Sequence, residues 1–303
     1  MMTTEAATGH RIGYNRTIGV AAMVGRGFFY PWASVVGSDG RLYVLGRGLD
    51  GDPRGVRVTV MDLDENYHGS TDGEFLGKWG AHGTDDGLFN GPGGMAFDSN
   101  NELLVVDHRN SRVQRFTADG DFLSAFGSLG DGAGQFNLAW GACVDSYDNV
   151  YVADWGNDRI QKFTPAGEFV ASYGSSGRGE GEFHRPSGVC VDSDGYMYVT
   201  DWGNHRLQVL DPEGGFVQSS RGQATISKWA QAFLDTNVEE AEARSRANLE
   251  TDVEFFNDDP HEESAHIEKY FWAPSSITLD SDGHLFIVDS NRHRLQVYDI
   301  IPS

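Results

Sequence analysis

The chain is short of three things, and each shortage removes a class of protein. Two cysteines in 303 residues, Cys143 and Cys190, are too few for a small scaffold stapled by disulfides. No apolar run approaches the roughly 18 residues that a membrane-spanning helix needs, and Met1 to Ala7 show no basic stretch leading into an apolar core. A soluble, cytoplasmic protein without a secretory leader is therefore expected. Cations are scarce too: 23 Lys and Arg against 45 Asp and Glu give a formal net charge of -22. A field of that sign repels phosphate backbones and anionic lipid, so neither nucleic acid nor a membrane is an expected partner.

What the chain does have is repetition. Asp154-Trp155-Gly156-Asn157-Asp158-Arg159 returns as Asp201-Trp202-Gly203-Asn204-His205-Arg206, 47 residues further on. Around the second box, Val189-Cys190-Val191, Met197-Tyr198-Val199, Leu207-Gln208-Val209 and Phe216-Val217 are short β-branched or aromatic runs closed by Gly, Asp or Pro. Each copy thus reads as four short strands joined by tight turns, and a repeated four-stranded unit of this length is a propeller blade. Registered on the box Asp, the copies fall at Asp107, Asp154, Asp201 and Asp289, with a divergent first copy where Gly46 replaces the Asp. The last copy stops after its third strand, and Arg16 to Val20 stand where a fourth strand would, so the two termini are expected to complete one mixed blade and remove an open edge.

The Asp-x-x-Asn-x-Arg box, together with Gly-x-Phe-x-x-Pro before the inner strand (Gly181, Phe183, Pro186), resembles the NHL-repeat family of β-propellers. The resemblance implies an all-β propeller with residues 1–303 as a single domain; five blades are expected, with six as the alternative. Between the fourth and fifth copies, residues 223–270 lose the strand pattern. Ile226, Trp229, Ala230, Phe233, Ala241 and Leu249 recur there at helical spacing, in a stretch with twelve acidic and four basic residues. This segment is expected to be an acidic helical insertion on one face, ending in an irregular tail through Asn257 to Pro260, with the blades on either side complete without it.

The repeated Asp, Asn and Arg are expected to be scaffold: Asp capping its turn, Asn tolerating the left-handed conformation, Arg pairing with a neighbouring blade's carboxylate. His205 and His293 go with them. Cys143 and Cys190 share one inner-strand position with Val35, Ala96 and Thr278, which suits buried free thiols near a crowded axis.

Function is sought where the copies differ. After the box Asp stand Arg47, His108, Trp155, Trp202 and Ser290. After the Pro position stand Trp32, Gly93, Trp140, Ser187 and Ser275, and His184 and Trp272 lie two residues before it. Trp32, Trp140, Trp155, Trp202 and Trp272 map to one rim, with Arg47, His108 and Arg185 as polar anchors. This axial face, below the insertion, is expected to bind a small organic ligand or a protein partner. The alternative is an enzyme of the propeller lyase or hydrolase type, its likeliest carriers being His108, His184, Tyr30 and Arg47. Some NHL propellers are lyases with a central zinc held by histidines. Here only His108 and His184 map to axial positions, one short of a three-histidine set, so no cofactor and no metal ligands are predicted, with a divalent metal on the axis left open.

Overall fold

Runs such as Leu104-Val105-Val106 and Val150-Tyr151-Val152 form strands because β-branched and aromatic side chains pack well on a pleated surface. Both runs are buried on both faces, so each sheet lies between neighbours. The computed structural model describes residues 11–18, 31–36, 42–49, 52–61, 67–71, 83–117, 120–249 and 259–301.

These strands make an all-β propeller of four-stranded antiparallel sheets. One sheet joins β2 (Pro31–Val36), β3 (Leu42–Leu49), β4 (Asp52–Met61) and β5 (Tyr67–Thr71). The next joins β6 (Pro92–Phe97), β7 (Leu103–Asp107), β8 (Arg112–Phe116) and β9 (Phe122–Phe126), followed by β10 (Ala142–Val144), β11 (Val150–Asp154), β12 (Arg159–Phe163) and β13 (Phe169–Tyr173). After the short parallel pair β14 (Ser175–Ser176) and β15 (Glu182–Phe183) come β16 (Pro186–Val191), β17 (Met197–Asp201), β18 (Arg206–Leu210) and β19 (Phe216–Ser220). The last sheet is mixed, as the termini suggest. Here β20 (Pro274–Leu279), β21 (His284–Asp289) and β22 (Arg294–Ile301) are completed by β1 (Arg11–Ile18), which pairs with β22 from Arg11–Ile301 to Ile18–Leu295.

Four of these sheets carry the box Asp. The β2–β5 sheet does not: its Pro31 pairs with Gly46, where Pro92, Pro186 and Pro274 pair with Asp107, Asp201 and Asp289. Neighbouring inner strands touch in the order β6, β10, β16, β20, β2. They approach so closely that a Cβ on Gly141 would lie 2.5 Å from the Ser187 carbonyl oxygen, which is why this position is glycine.

The box works differently from the expectation. Asp107, Asp154, Asp201 and Asp289 are fully buried, and none caps the 3-10 turn that follows it. Each carboxylate instead reaches back 17 residues. One oxygen accepts the backbone N–H of Asn90, Asn137, His184 or Trp272 at 2.7–2.8 Å. In the Asp201 copy the other oxygen accepts from Asn204 Nδ2, Arg206 Nε and Gln208 Nε2. The Arg therefore pairs with its own blade's Asp, not a neighbour's, and its Nη atoms donate to carbonyls of the preceding loop, such as Gly179 and Glu182. The left-handed residue is the one just before the box Arg: Ser111, Asp158, His205 and His293 have φ between 51° and 55°.

In the first sheet β3 and β4 run on as a hairpin to the Leu49–Asp52 pair. The insertion is helical, with α1 (Lys228–Thr236) and α2 (Val238–Arg246), but its tail holds a third helix, α3 (Pro260–His266). Asp259 caps α3 by accepting from the His261 N–H, with Pro at the start, an arrangement that suits a helix N-terminus. Asn257 and Asp258 lie outside the described residues. The insertion also packs on the ring. Trp229 of α1 is buried against Leu42, Phe286 and Leu295, and the carbonyls of Glu268 and Tyr270 accept from Arg294 as that blade's loop.

Two predictions follow from this construction. Asp201→Ala leaves the Arg206 guanidinium and a backbone N–H without their buried acceptor, and a loss of about 3–5 kcal/mol is expected in denaturant unfolding; a loss under about 1 kcal/mol would show the box to be dispensable. Removal of residues 1–18 bares the edge of β22, and light scattering should then report association of a protein that the intact chain keeps dispersed.

Candidate functional site

The turn after each box Asp is one turn of 3-10 helix, so the residue following the Asp stands at the rim: His108, Trp155, Trp202 and Ser290. The chain must pass close beneath it. A Cβ on Gly203 would lie 2.6 Å from the His184 carbonyl oxygen, whose bond with the Gly203 N–H, 2.8 Å long, ties the turn to the loop before β16.

These turns set up a continuous row of rings. His108 meets Trp140 edge-on at 4.9 Å between centroids. Trp140 stacks on Trp155 at 6.2 Å, and Trp155 meets Trp202 at 6.1 Å. The row continues through His205 at 6.5 Å from Trp202, His261 of α3 at 5.2 Å from His205, and Trp272 at 6.2 Å from His261. Arg185 lies over Trp155 at 4.6 Å and Arg292 over Trp272 at 5.3 Å. The four tryptophans of the row are all partly buried. Of the residues expected at this face, the structure brings together Trp140, Trp155, Trp202, Trp272, His108 and Arg185. His184 stands exposed beside them, its Nδ1 3.9 Å from Asp158, beyond hydrogen-bond range. Tyr30 and the side chains of Trp32 and Arg47 lie outside the described residues.

The face is a wall of rings rather than a cup. A cavity of about 430 Å³ runs along the axis between the inner strands, where Ser34, Gly93, Gly141, Ser187 and Ser275 line it. Trp140 is the one tryptophan among its described lining residues. Cys143 and Cys190 also face this cavity as free cysteines, Cys143 being only partly buried. Burial pushes both thiols up, so neither is an activated nucleophile.

Two histidines of the row have fixed protons. His108 Nδ1 lies 2.9 Å from the Ala139 carbonyl, to which it can only donate, so a neutral ring carries its free lone pair on Nε2. Burial lowers its pKa, with the Arg109 charge adding to the effect. His205 Nδ1 accepts the Ala273 N–H at 3.0 Å, which places its proton on Nε2. Burial, then the charges of His261 and Arg221, lower it to about 3. The sequence reading assigned His205 to the scaffold and missed His261 altogether. The one legible signal for His261 was Asp259-Pro260, a helix start that would set the next residue in the first turn.

Among the described residues, the one grouping of three candidate metal ligands is Asp280, Asp282 and His284, away from this face. There Asp280 accepts from the backbone N–H groups of Asp282 and His284, the same turn that Asp145 makes with Tyr147 and Asn149 and Asp192 with Asp194 and Tyr196. It is a repeated turn device. No described helix is long and apolar enough to cross a membrane.

No curated protein matches the chain. Among solved structures, a streptogramin B lyase superposes with a TM-score of 0.53 at 11% identity, covering 98% of this chain and 100% of that one. A Bacteroides thetaiotaomicron protein of unknown function gives 0.50 at 21% identity, over 95% of this chain and 70% of that one. A catalytically inactive virginiamycin B lyase from Staphylococcus aureus with quinupristin gives 0.50 at 11% identity, over 97% and 89%. At these identities the likeness is one of fold. The NHL repeat profile matches residues 89–116, 136–163, 183–210 and 271–298, the four segments that hold the box and its three inner strands. By repeat, box and propeller together, the chain belongs to the NHL-repeat family.

Proposed function

We propose that this protein is a binding module that recognises a small organic ligand through a flat, anionic group, on the tryptophan face of a five-bladed ring in which β2–β5 is the blade that has lost the box. Support for the ring comes from the axial cavity, lined by the inner strands of all five four-stranded sheets. The observation that carries the reading is Arg185. It is exposed, and it makes no ion pair among the described residues. Its backbone is held in the left-handed region at φ 58° by an N–H bond to Asp158. The equivalent left-handed positions hold Gly91, Leu138 and Ala273, so the guanidinium is particular to this blade.

A guanidinium over an indole face keeps its N–H donors available, and a carboxylate can take two parallel hydrogen bonds from them. Arg185 already fills the cation site over Trp155, which weighs against a cationic ligand there. The overall charge of -22 does not forbid an anion. Exposed charges are screened from one another beyond about 8 Å at physiological salt, so a contact pair depends on its neighbours and not on the distant surface.

A second reading rests on His108. A neutral imidazole with Nδ1 bound to a carbonyl and Nε2 free is the state required of a general base, so a lyase or hydrolase step at this face is the alternative, with His108 accepting the proton.

Intrinsic fluorescence titrations with benzoate and benzylammonium test the binding reading. Benzoate should perturb the tryptophans, and Arg185→Gln and Trp202→Ala should each weaken it about tenfold or more. Equal binding of benzylammonium, or indifference to Arg185→Gln, would overturn it. Trp155→Ala should cost only about 1–3 kcal/mol of stability, the worth of two half-exposed ring contacts, less than a core aromatic.

A further inference from the structure

We infer, building on Arg185 as the first anion contact, that the ligand of the tryptophan face carries two anionic groups at opposite ends of a flat body, and that Arg109 is the second contact. The flat body lies along Trp140 and Trp155.

Two backbone segments meet at the top of each box-bearing blade, and each has one position from which a side chain can rise over the rim. On the loop before the inner strand it is the left-handed residue: Gly91, Leu138, Arg185 or Ala273. On the turn after the box Asp it is the second residue: Arg109, Gly156, Gly203 or Asn291. Where the β16–β19 blade has Arg185 and Gly203, the β6–β9 blade has the reverse, Gly91 and Arg109. A guanidinium thus reaches the same station by the other route. The Arg109 side chain runs along Gly91, its Cδ and Nε both 3.6 Å from where a Cβ on that glycine would stand, and its backbone N–H donates to the Asn90 carbonyl at 3.0 Å.

The blade between these two has Leu138 and Gly156 at the same stations, so it offers no cation there. It supplies Trp140 and Trp155 instead. The arginines therefore bracket that pair: Arg185 lies over Trp155 at 4.6 Å, and Arg109 adjoins His108, whose ring meets Trp140 at 4.9 Å. The Arg109 charge is felt at that imidazole, where it adds to the burial that lowers the His108 pKa.

Both guanidiniums are exposed, and neither makes an ion pair among the described residues. With 45 Asp and Glu against 23 Lys and Arg in the chain, an unpaired arginine is the exception. The box arginines, Arg115, Arg221 and Arg244 are all in ion pairs. Carboxylates of the same loops and turns are engaged elsewhere: Asp86 meets Arg112, and Asp158 accepts from Ser176 Oγ and the Arg185 N–H. Each free guanidinium can hold a carboxylate by two parallel hydrogen bonds, and the indoles between them cover a flat apolar body. A single ligand that engages both arginines makes its second contact intramolecularly, at an effective concentration far above that of a free anion.

Isothermal titration calorimetry at physiological salt, with a biphenyl dicarboxylate bearing one carboxylate at each end and with the biphenyl monocarboxylate, separates the two contacts. The dicarboxylate should bind one per chain and about tenfold more tightly than the monocarboxylate. Arg109→Gln should abolish that gain while changing monocarboxylate affinity by no more than about twofold, and Arg185→Gln should weaken both. A monocarboxylate that binds with no gain from the second carboxylate overturns the role of Arg109 and leaves that of Arg185 standing; so does a gain that survives Arg109→Gln. A monocarboxylate that does not bind overturns the role of Arg185 and that of Arg109 with it. Arg109 is exposed and stands outside the hydrogen-bonded set of the box, so Arg109→Gln should keep the wild-type unfolding midpoint; the wild-type comparison of the two probes decides the matter if it does not fold.

Discussion

Everything in this ring hangs on a buried carboxylate. Each box Asp accepts a backbone N–H from the loop that enters its blade and, with its other oxygen, the Arg and Gln of the next strand, joined in the Asp107, Asp154 and Asp201 copies by the Asn of the turn. A charge taken out of water is costly unless its donors are in place. In the Asp201 copy four donors converge on it, and they come from chain segments up to 17 residues away. The loop before the inner strand and the turn after the second strand are thereby fixed relative to one another, and it is these two segments that present the rim residues. The scaffold and the candidate site are joined at that one group.

That connection explains why the rim holds a row of rings. The turn after the Asp and the loop before the Pro come together in every box-bearing blade, so whatever side chains occupy them become neighbours. In two blades the turn carries Trp155 and Trp202, and Trp140 and Trp272 come from adjacent loop positions. Stacking distances near 6 Å then follow from the spacing of blade tops. Guanidiniums lie over two of these indoles, one committed to α3 carbonyls and the other without an ion pair among the described residues. The difference between Arg292 and Arg185 is the difference between a cation used to hold the chain and one available to a ligand.

The insertion alters the symmetry of the face. Its first helix is anchored by Trp229 between the mixed sheet and β3, and its third sits on the rim with several polar atoms unmatched. The anchored part behaves as core. The rim part is held by the Arg221–Glu263 ion pair, by Arg292 on its carbonyls and by the buried Ser264 and Ile267.

The sequence by itself determined the repeat, the four-stranded unit, closure by the termini and the rim address of Trp140, Trp155, Trp202 and Trp272. Periodicity is a local property of the chain, and a propeller is built from local units, so these were open to reading. The partners of the box were not. An Asp that reaches 17 residues back and an Asp that caps the next turn have the same sequence, and only the folded loop distinguishes them. Tertiary structure alone decided that the tryptophans form a wall and not a cup, and that His261 meets His205. Those two histidines are 56 residues apart, in segments with no shared period, so nothing short of the packed insertion could bring them to one hydrogen bond.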